Sequence, residues 1–182
     1  MSVVPPVVHT ERLLIRSYRE SDADQLRPIL ASSGDYLSAW LPKHVWEPVP
    51  VEELSGRLAR YAELFDDDIE WRYAVLDSSG RELIGSVGLF PRDEARRVPY
   101  EEADRVEIGY WIRKDHSGQG LATEASRAML EVARSLAGIE RVEIRCDARN
   151  GASAAVPKKL GFSLSKAPRQ TKDELQVWGM EL

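Results

Sequence analysis

The stretch Glu107-Ile-Gly-Tyr-Trp-Ile-Arg-Lys-Asp-His-Ser-Gly-Gln-Gly-Leu-Ala-Thr-Glu-Ala125 constrains the fold more than any other part of the chain. Val106, Ile108, Tyr110 and Ile112 alternate along it on one face, the pattern of a strand. The strand runs into a turn bearing Gly118 and Gly120. Ala122, Ala125, Met129, Val132, Ala133 and Leu136 then mark an amphipathic helix that ends near Gly138. A helix start of this kind exposes unpaired backbone N–H groups at the positive end of the dipole, and glycines let the main chain approach a bound group closely. A phosphate-bearing ligand is therefore expected between Ser117 and Thr123. A plain strand-to-helix turn is the competing reading of the same two glycines.

Two phosphate-binding patterns fail to match. A Walker loop needs a lysine followed by Ser or Thr at the helix start, and Leu121-Ala122-Thr123 offers none. The dinucleotide fingerprint needs a third glycine, and Thr123 occupies that position.

The remaining pattern is mixed. Leu13-Leu14-Ile15 reads as a first strand. Ser21, with Asp24 three residues on, opens a short helix carrying Ala23, Leu26, Ile29 and Leu30. Ser32 to Pro50, with Trp40 and Trp46, reads as a long irregular loop of the functional kind. Leu54, Leu58, Tyr61, Ala62 and Phe65 recur at the helical period. Trp71 to Asp77 and Glu82 to Phe90 form a hairpin across Ser78-Ser79-Gly80, and Pro91 to Asp104 is a solvated loop. Val142, Ile144 and Cys146 mark a further strand. A short helix leads to Leu160-Gly161-Phe162, and strands Phe162 to Lys166 and Leu175 to Leu182 close the chain. With no internal repeat or linker, 182 residues imply one α/β domain spanning 1–182.

Charge and cysteine usage narrow the partners. The net charge is −5 and no basic stripe is present, which argues against direct nucleic-acid binding. The one cysteine, Cys146, cannot form an internal disulfide, as befits a reducing compartment. Met1 to Val8 lacks the basic region of a signal peptide, and no apolar run approaches the roughly 20 residues that span a bilayer. A cytoplasmic protein without a membrane partner is expected. His9, His44 and His116 are scattered, so no metal is expected.

Ser117-Gly118-Gln119-Gly120-Leu121-Ala122 resembles the pyrophosphate loop of the GNAT superfamily, Gln/Arg-x-x-Gly-x-Gly/Ala, with matches at Gly120 and Ala122 and a departure at Ser117. The preceding Glu107-Ile-Gly-Tyr-Trp-Ile112, and Asn150-Gly-Ala-Ser153 to Leu160-Gly-Phe162 downstream, are similar to the family's flanking blocks. Thr10-Glu-Arg-Leu-Leu-Ile-Arg16, Leu83-Ile-Gly-Ser-Val-Gly88 and Ala122-Thr-Glu-Ala125 resemble the RimJ/RimL-like branch, which includes enzymes that acetylate ribosomal protein N-termini. The resemblance covers nearly the whole chain. It implies a GNAT-type mixed, twisted central sheet with splayed central strands and helices on both faces. It also implies an acetyl-CoA-dependent N-acetyltransferase acting on a primary amine. The branch suggests a peptide or protein N-terminus, with a small amine or antibiotic as the alternative acceptor. A non-catalytic acyl-CoA sensor is the rival of another class, and a homodimer is common among similar proteins.

The same resemblance assigns residues. Trp111, Ile112 and Arg113 would offer backbone groups to the pantetheine arm. The amides of Ser117, Gly118, Gln119, Gly120, Leu121, Ala122 and Thr123 would hold the pyrophosphate, and Asn150 would contact the pantetheine region or cap a helix. Glu107 reads either as the general base that deprotonates the amine or as a strand residue paired with an arginine such as Arg105. Ser153 reads as a proton donor to the departing thiolate or as an ordinary first-turn residue. The clearest departure is Pro157, where many members carry a tyrosine that protonates that thiolate. Proline can donate nothing.

Overall fold

In the computed structural model, which describes residues 2–165 and 175–182, the strands form one eight-stranded sheet. In chain order they are β1 (Val7–His9), β2 (Leu13–Ser17), β3 (Trp71–Asp77), β4 (Leu83–Arg92), β5 (Arg105–Ile112), β6 (Arg141–Asp147), β7 (Ser163–Ser165) and β8 (Leu175–Glu181). Across the sheet the order is β1-β2-β3-β4-β5-β6-β8-β7, with β5 and β6 parallel and the other pairs antiparallel. The expected extension of β7 to Lys166 lies outside the described residues.

The helices are α1 (Ala23–Ser38), α2 (Lys43–Trp46), α3 (Val51–Asp66), α4 (Leu121–Arg134) and α5 (Gly151–Leu160). They cover both faces. Leu26, Leu30 and Leu37 of α1 and Leu54 and Leu58 of α3 bury with Ala74, Leu76, Leu83 and Trp111 on one side. Ala125, Met129 and Ala133 of α4 and Ala154 and Val156 of α5 bury with Val106, Ile108, Val142 and Ile144 on the other. The alternation along β5 sets this division, since Trp111 and Ile112 point to opposite faces. Among the described residues no helix is long and apolar enough to cross a membrane.

Two local expectations are corrected. The first helix is not short and does not start at a Ser21 cap. A 3₁₀ turn, Glu20–Asp22, precedes it, and Asp22 accepts from the Arg19 N–H at 2.8 Å while gripping Arg16 through both carboxylate oxygens at 2.7 and 2.8 Å. The stretch Ser32 to Pro50 is not irregular throughout, because α1 runs on to Ser38 and α2 forms a further turn. Buried Ser33, Gly34 and Leu37 hold that extension, and the Trp46 ring packs over Gly34.

The feature that positions a site lies at the centre of the sheet. β5 and β6 pair only at Arg105–Arg141, Val106–Val142 and Glu107–Glu143. β5 nevertheless stays bonded to β4 as far as Ile112, and β6 to β8 as far as Asp147. Beyond Glu107 the two strands therefore part, and the sheet opens into a V.

Candidate active site

A cleft of about 680 Å³ occupies this opening. One end is the strand-turn-helix segment. Gly118 and Gly120 take φ values of +76° and +79°, the left-handed region that side chains with a Cβ resist. A Cβ at Gly118 would meet nothing within 4 Å, so backbone conformation rather than space requires glycine there. The Glu124 N–H bonds to the Gly120 carbonyl at 3.0 Å, which leaves the amides of Leu121, Ala122 and Thr123 without intrahelical acceptors at the mouth of α4. These donors and the helix dipole fit a pyrophosphate. Ser117, Gly118, Gly120, Leu121, Ala122 and Thr123 line the cleft. The Gln119 side chain is not part of that lining, and its carbonyl accepts from Arg12 Nη1 at 3.0 Å.

Arg12 is half of a clasp. Its Nε lies 2.7 Å from Glu124 Oε2, its N–H bonds to Glu124 Oε1 at 2.9 Å, and the Thr10 hydroxyl donates to the same oxygen at 2.6 Å. Burial works against the Glu124 charge, but the bonds from Thr10 and Arg12 outweigh it and hold its carboxyl below the usual range. The clasp ties the edge before β2 to the first turn of α4. It joins the Thr10-Glu-Arg and Ala122-Thr-Glu segments directly.

The edge of β5 facing the gap carries free backbone groups, though not on all the residues expected. Arg113 N–H bonds to the Ile84 carbonyl at 2.9 Å. Strand alternation then turns the main-chain groups of Trp111 toward β4 as well, and those of Ile108, Tyr110 and Ile112 toward the gap. Of Trp111, Ile112 and Arg113, only Ile112 keeps its N–H and C=O available there. The Arg113 guanidinium is held by Asp115 at 2.6 Å and Glu82 at 2.9 Å.

Across the gap, Asn150 caps α5 by accepting the Ser153 N–H at 3.0 Å, and it also lines the cleft. Pro157 lies within α5 and is buried. With no N–H of its own, it leaves the carbonyl four residues earlier, that of Ser153, without its helical donor. The Tyr110 hydroxyl fills the vacancy, donating to Ser153 O at 2.9 Å and lying 3.2 Å from Ser153 Oγ. Burial holds this phenol well above its ordinary pKa, against the opposing effect of the Ser153 bond, so it keeps its proton at neutral pH. Burial likewise raises the neighbouring Cys146 thiol. Sequence reasoning placed Tyr110 only on a strand face. The signal that could have found it is the proline itself, which predicts an orphaned carbonyl at 153.

The other end of the cleft is cationic and aromatic. Glu107 stands where β5 and β6 part, and Arg105 is not its partner. Arg105 turns to Asp104 and Glu143, while Glu107 Oε2 binds Arg92 Nη1 and lies 3.8 Å from Arg145 Nε. Glu107 Oε1 has Arg97 Nη2 at 3.5 Å. Gly88 and Gly109 are cross-strand partners, and the Phe90 ring lies back over both, where a Cβ would meet it at 2.8 and 3.0 Å. Arg72 and Arg97 stack on that ring at 4.8 and 3.9 Å from its centroid, and Arg72 stacks also on Tyr61 at 4.6 Å. The chain's net acidity stops at the cleft. Among the described residues its lining carries Arg57, Arg72, Arg97, Arg145 and Lys159 against Glu107 and Asp147.

Comparison with known proteins places this geometry. Residues 12–163 match the family model described as acetyltransferase (GNAT) domain. The chain is 25% identical over 166 residues to the probable N-acetyltransferase YjcK of Bacillus subtilis (strain 168), covering 91% of this chain and 88% of that protein. It is 27% identical over 167 residues to the L-methionine sulfoximine/L-methionine sulfone acetyltransferase of Pseudomonas aeruginosa, covering 89% and 88%. A solved structure of RimL, a ribosomal L7/L12 alpha-N-protein acetyltransferase in complex with coenzyme A, superposes with a TM-score of 0.79 at 19% identity, covering 98% of this chain and 97% of the other.

Proposed function

The chain belongs to the GNAT acetyltransferase family, and on that premise we propose that it moves acetyl from acetyl-coenzyme A to a primary amine held where β5 and β6 part. The observation that carries this reading is the V itself. One opening brings together the unpaired amides of α4, the free main-chain edge of β5 and a carboxylate at its apex.

The amides from Ser117 to Thr123 hold the pyrophosphate, with Gly118 and Gly120 setting the loop and Arg12 and Glu124 bracing it. The Ile112 main chain aligns the pantetheine arm from one side of the gap and Asn150 from the other. When bound, the coenzyme supplies the thioester. The amine nitrogen attacks its carbonyl carbon, the C–N bond forms, the C–S bond breaks, and the sulfur leaves as a thiolate. Glu107 Oε1, the oxygen not committed to Arg92, takes the amine's proton directly or through a water molecule. Tyr110, coupled to Ser153, returns a proton to the thiolate, the role that Pro157 cannot fill.

The acceptor is narrower than any amine. The RimL likeness and the Thr10 to Arg16 pattern favour a peptide or protein N-terminus. The relative acting on methionine sulfoximine favours a small amine. The whole chain acts as one catalytic domain, working without a metal and in the cytoplasm. Calorimetry with acetyl-coenzyme A and a free-thiol release assay across peptides and small amines test the reading together. Absence of coenzyme binding would sink it.

A further inference from the structure

From the ion pairs at the apex of the V we infer that the acceptor is a free α-amino acid or a close analogue, its carboxylate bound by Arg97 and its ammonium by Glu107. This rests on the transferase reading above.

Arg92, Arg72 and Arg97 face the carboxylates of Glu107 and Glu70, and Arg92 Nε also lies 4.0 Å from Glu143, which Arg105, Arg141 and Arg145 already bind. Arg92 takes Glu107 Oε2, and Arg72 Nε takes Glu70 Oε1 at 2.5 Å. Arg97 is left with loose pairings alone, at 3.5 Å to Glu107 and 3.8 Å to Glu70, and its side chain is 47% exposed. Arg145 also lies 3.8 Å from Glu107 Oε2, but its hydrogen bonds, at 2.9 and 3.2 Å, go to Glu143. Arg97 is therefore the surplus cation of the group, and its guanidinium fork has room for a carboxylate.

It is also held in place. Asp93 Oδ1 accepts the N–H groups of Ala95 and Arg96, both at 2.7 Å. Arg92 and Arg97 bridge across this tight turn, and the Phe90 face supports the guanidinium from below. Such preorganisation lowers the entropic cost of binding.

The loose Arg97–Glu107 pair is the mirror of a zwitterion. A ligand with an ammonium and a carboxylate on one carbon replaces that contact with two opposed ones, its nitrogen on Glu107 Oε1 and its carboxylate on Arg97. A peptide N-terminus satisfies only the first. Its carbonyl at the matching place is neutral, and the surplus charge stays unpaired.

The test pairs each standard L-amino acid with its own carboxamide and adds a set of short peptides. Binding to the protein loaded with coenzyme A is read by calorimetry, and thiol release from acetyl-coenzyme A gives kcat/KM. The expected result is a preference for the acid over its amide of roughly 10- to 100-fold, abolished in Arg97→Gln and partly kept in Arg97→Lys. Coenzyme binding should be unchanged in both variants, and the amides should lose less than the acids do. Equal use of acid and amide by the parent protein, peptides outpacing amino acids, an equal loss for acids and amides in Arg97→Gln, or no binding of any amino acid would each overturn the inference. Arg97-dependent binding of an acid with no thiol released would uphold the pocket while refuting transfer, so the two readings fail separately.

Discussion

The two ends of the cleft are built by opposite means. The coenzyme end is nearly continuous in sequence, with Ile108 to Ala125 supplying strand, loop and helix start, and its geometry follows from local rules. Left-handed φ requires the glycines, and the end of a helix exposes its donors. The acceptor end gathers Tyr61 from α3, Arg72 from β3, Phe90 from β4, Arg97 from a turn and Glu107 from β5. Only tertiary structure brings these together. The difference teaches that a motif can identify the reaction while leaving the substrate unread. The shared co-substrate is met by contiguous backbone, and the acceptor by scattered side chains that can change one at a time.

The largest effect that would sharpen this division is expected at Glu107. Glu107→Gln should lower kcat/KM by about 10²- to 10⁴-fold, the usual range for a lost general base, while coenzyme affinity stays as it was. Steady-state thiol release and calorimetry read the two quantities. If the affinity for coenzyme fell along with turnover, the two ends would not be separable at the apex of the V.

Tyr110 and Pro157 test the seam between the ends. Tyr110→Phe should cut kcat by about 10²-fold if the phenol returns the proton. Pro157→Ala restores an N–H for the Ser153 carbonyl and competes with Tyr110 for it. Thermal stability should then rise while kcat falls several-fold, roughly in line with the high helix cost of proline. Two changes of opposite sign from one substitution are hard to obtain if the proline is merely structural. A variant more stable and equally active would remove Tyr110 from the mechanism.

How much was readable follows the same line. The strand-turn-helix unit, the hairpin of β3 and β4 and the helix α3 all rest on periodicity and turn chemistry, and the folded chain has them. The length of α1 was hidden, because the burial of Leu37 and the packing of Trp46 over Gly34 are tertiary facts. Arg105 looked like the partner of Glu107 because it is two residues away on the same face. Its charge instead goes to Asp104 and Glu143, and Arg92, fifteen residues back on β4, replaces it. The departure at Pro157 was visible and its consequence was not, since that required knowing which side chain faces the vacated carbonyl.

At the coenzyme end the expected effects are smaller, because many backbone donors share the load. Gly120→Ala adds a methyl group with only the Arg12 Nη2 atom near it, at 3.7 Å. Its cost is therefore the left-handed backbone, about 1–3 kcal/mol. Coenzyme affinity should weaken by roughly tenfold as the loop relaxes, with acceptor preference untouched. A changed preference between acids and amides would break the comparison.

The smallest effect is expected at the clasp, and pH separates it from the rest. The folded Glu124 carboxyl lies below its ordinary value of 4.5, so its charged form favours the folded state. That contribution is fully present above the unfolded value and is lost as pH falls through the folded one. Glu124→Gln should lower the thermal midpoint by a few degrees at neutral pH, and its melting curve should approach that of the parent protein as pH falls through the lowered folded value of Glu124. Coenzyme affinity should drop only a few-fold, since the variant loosens the Thr10 and Arg12 anchor without touching the donors themselves. A midpoint difference that stayed constant from neutral to acid pH would mean that Glu124 braces the loop by shape rather than by charge.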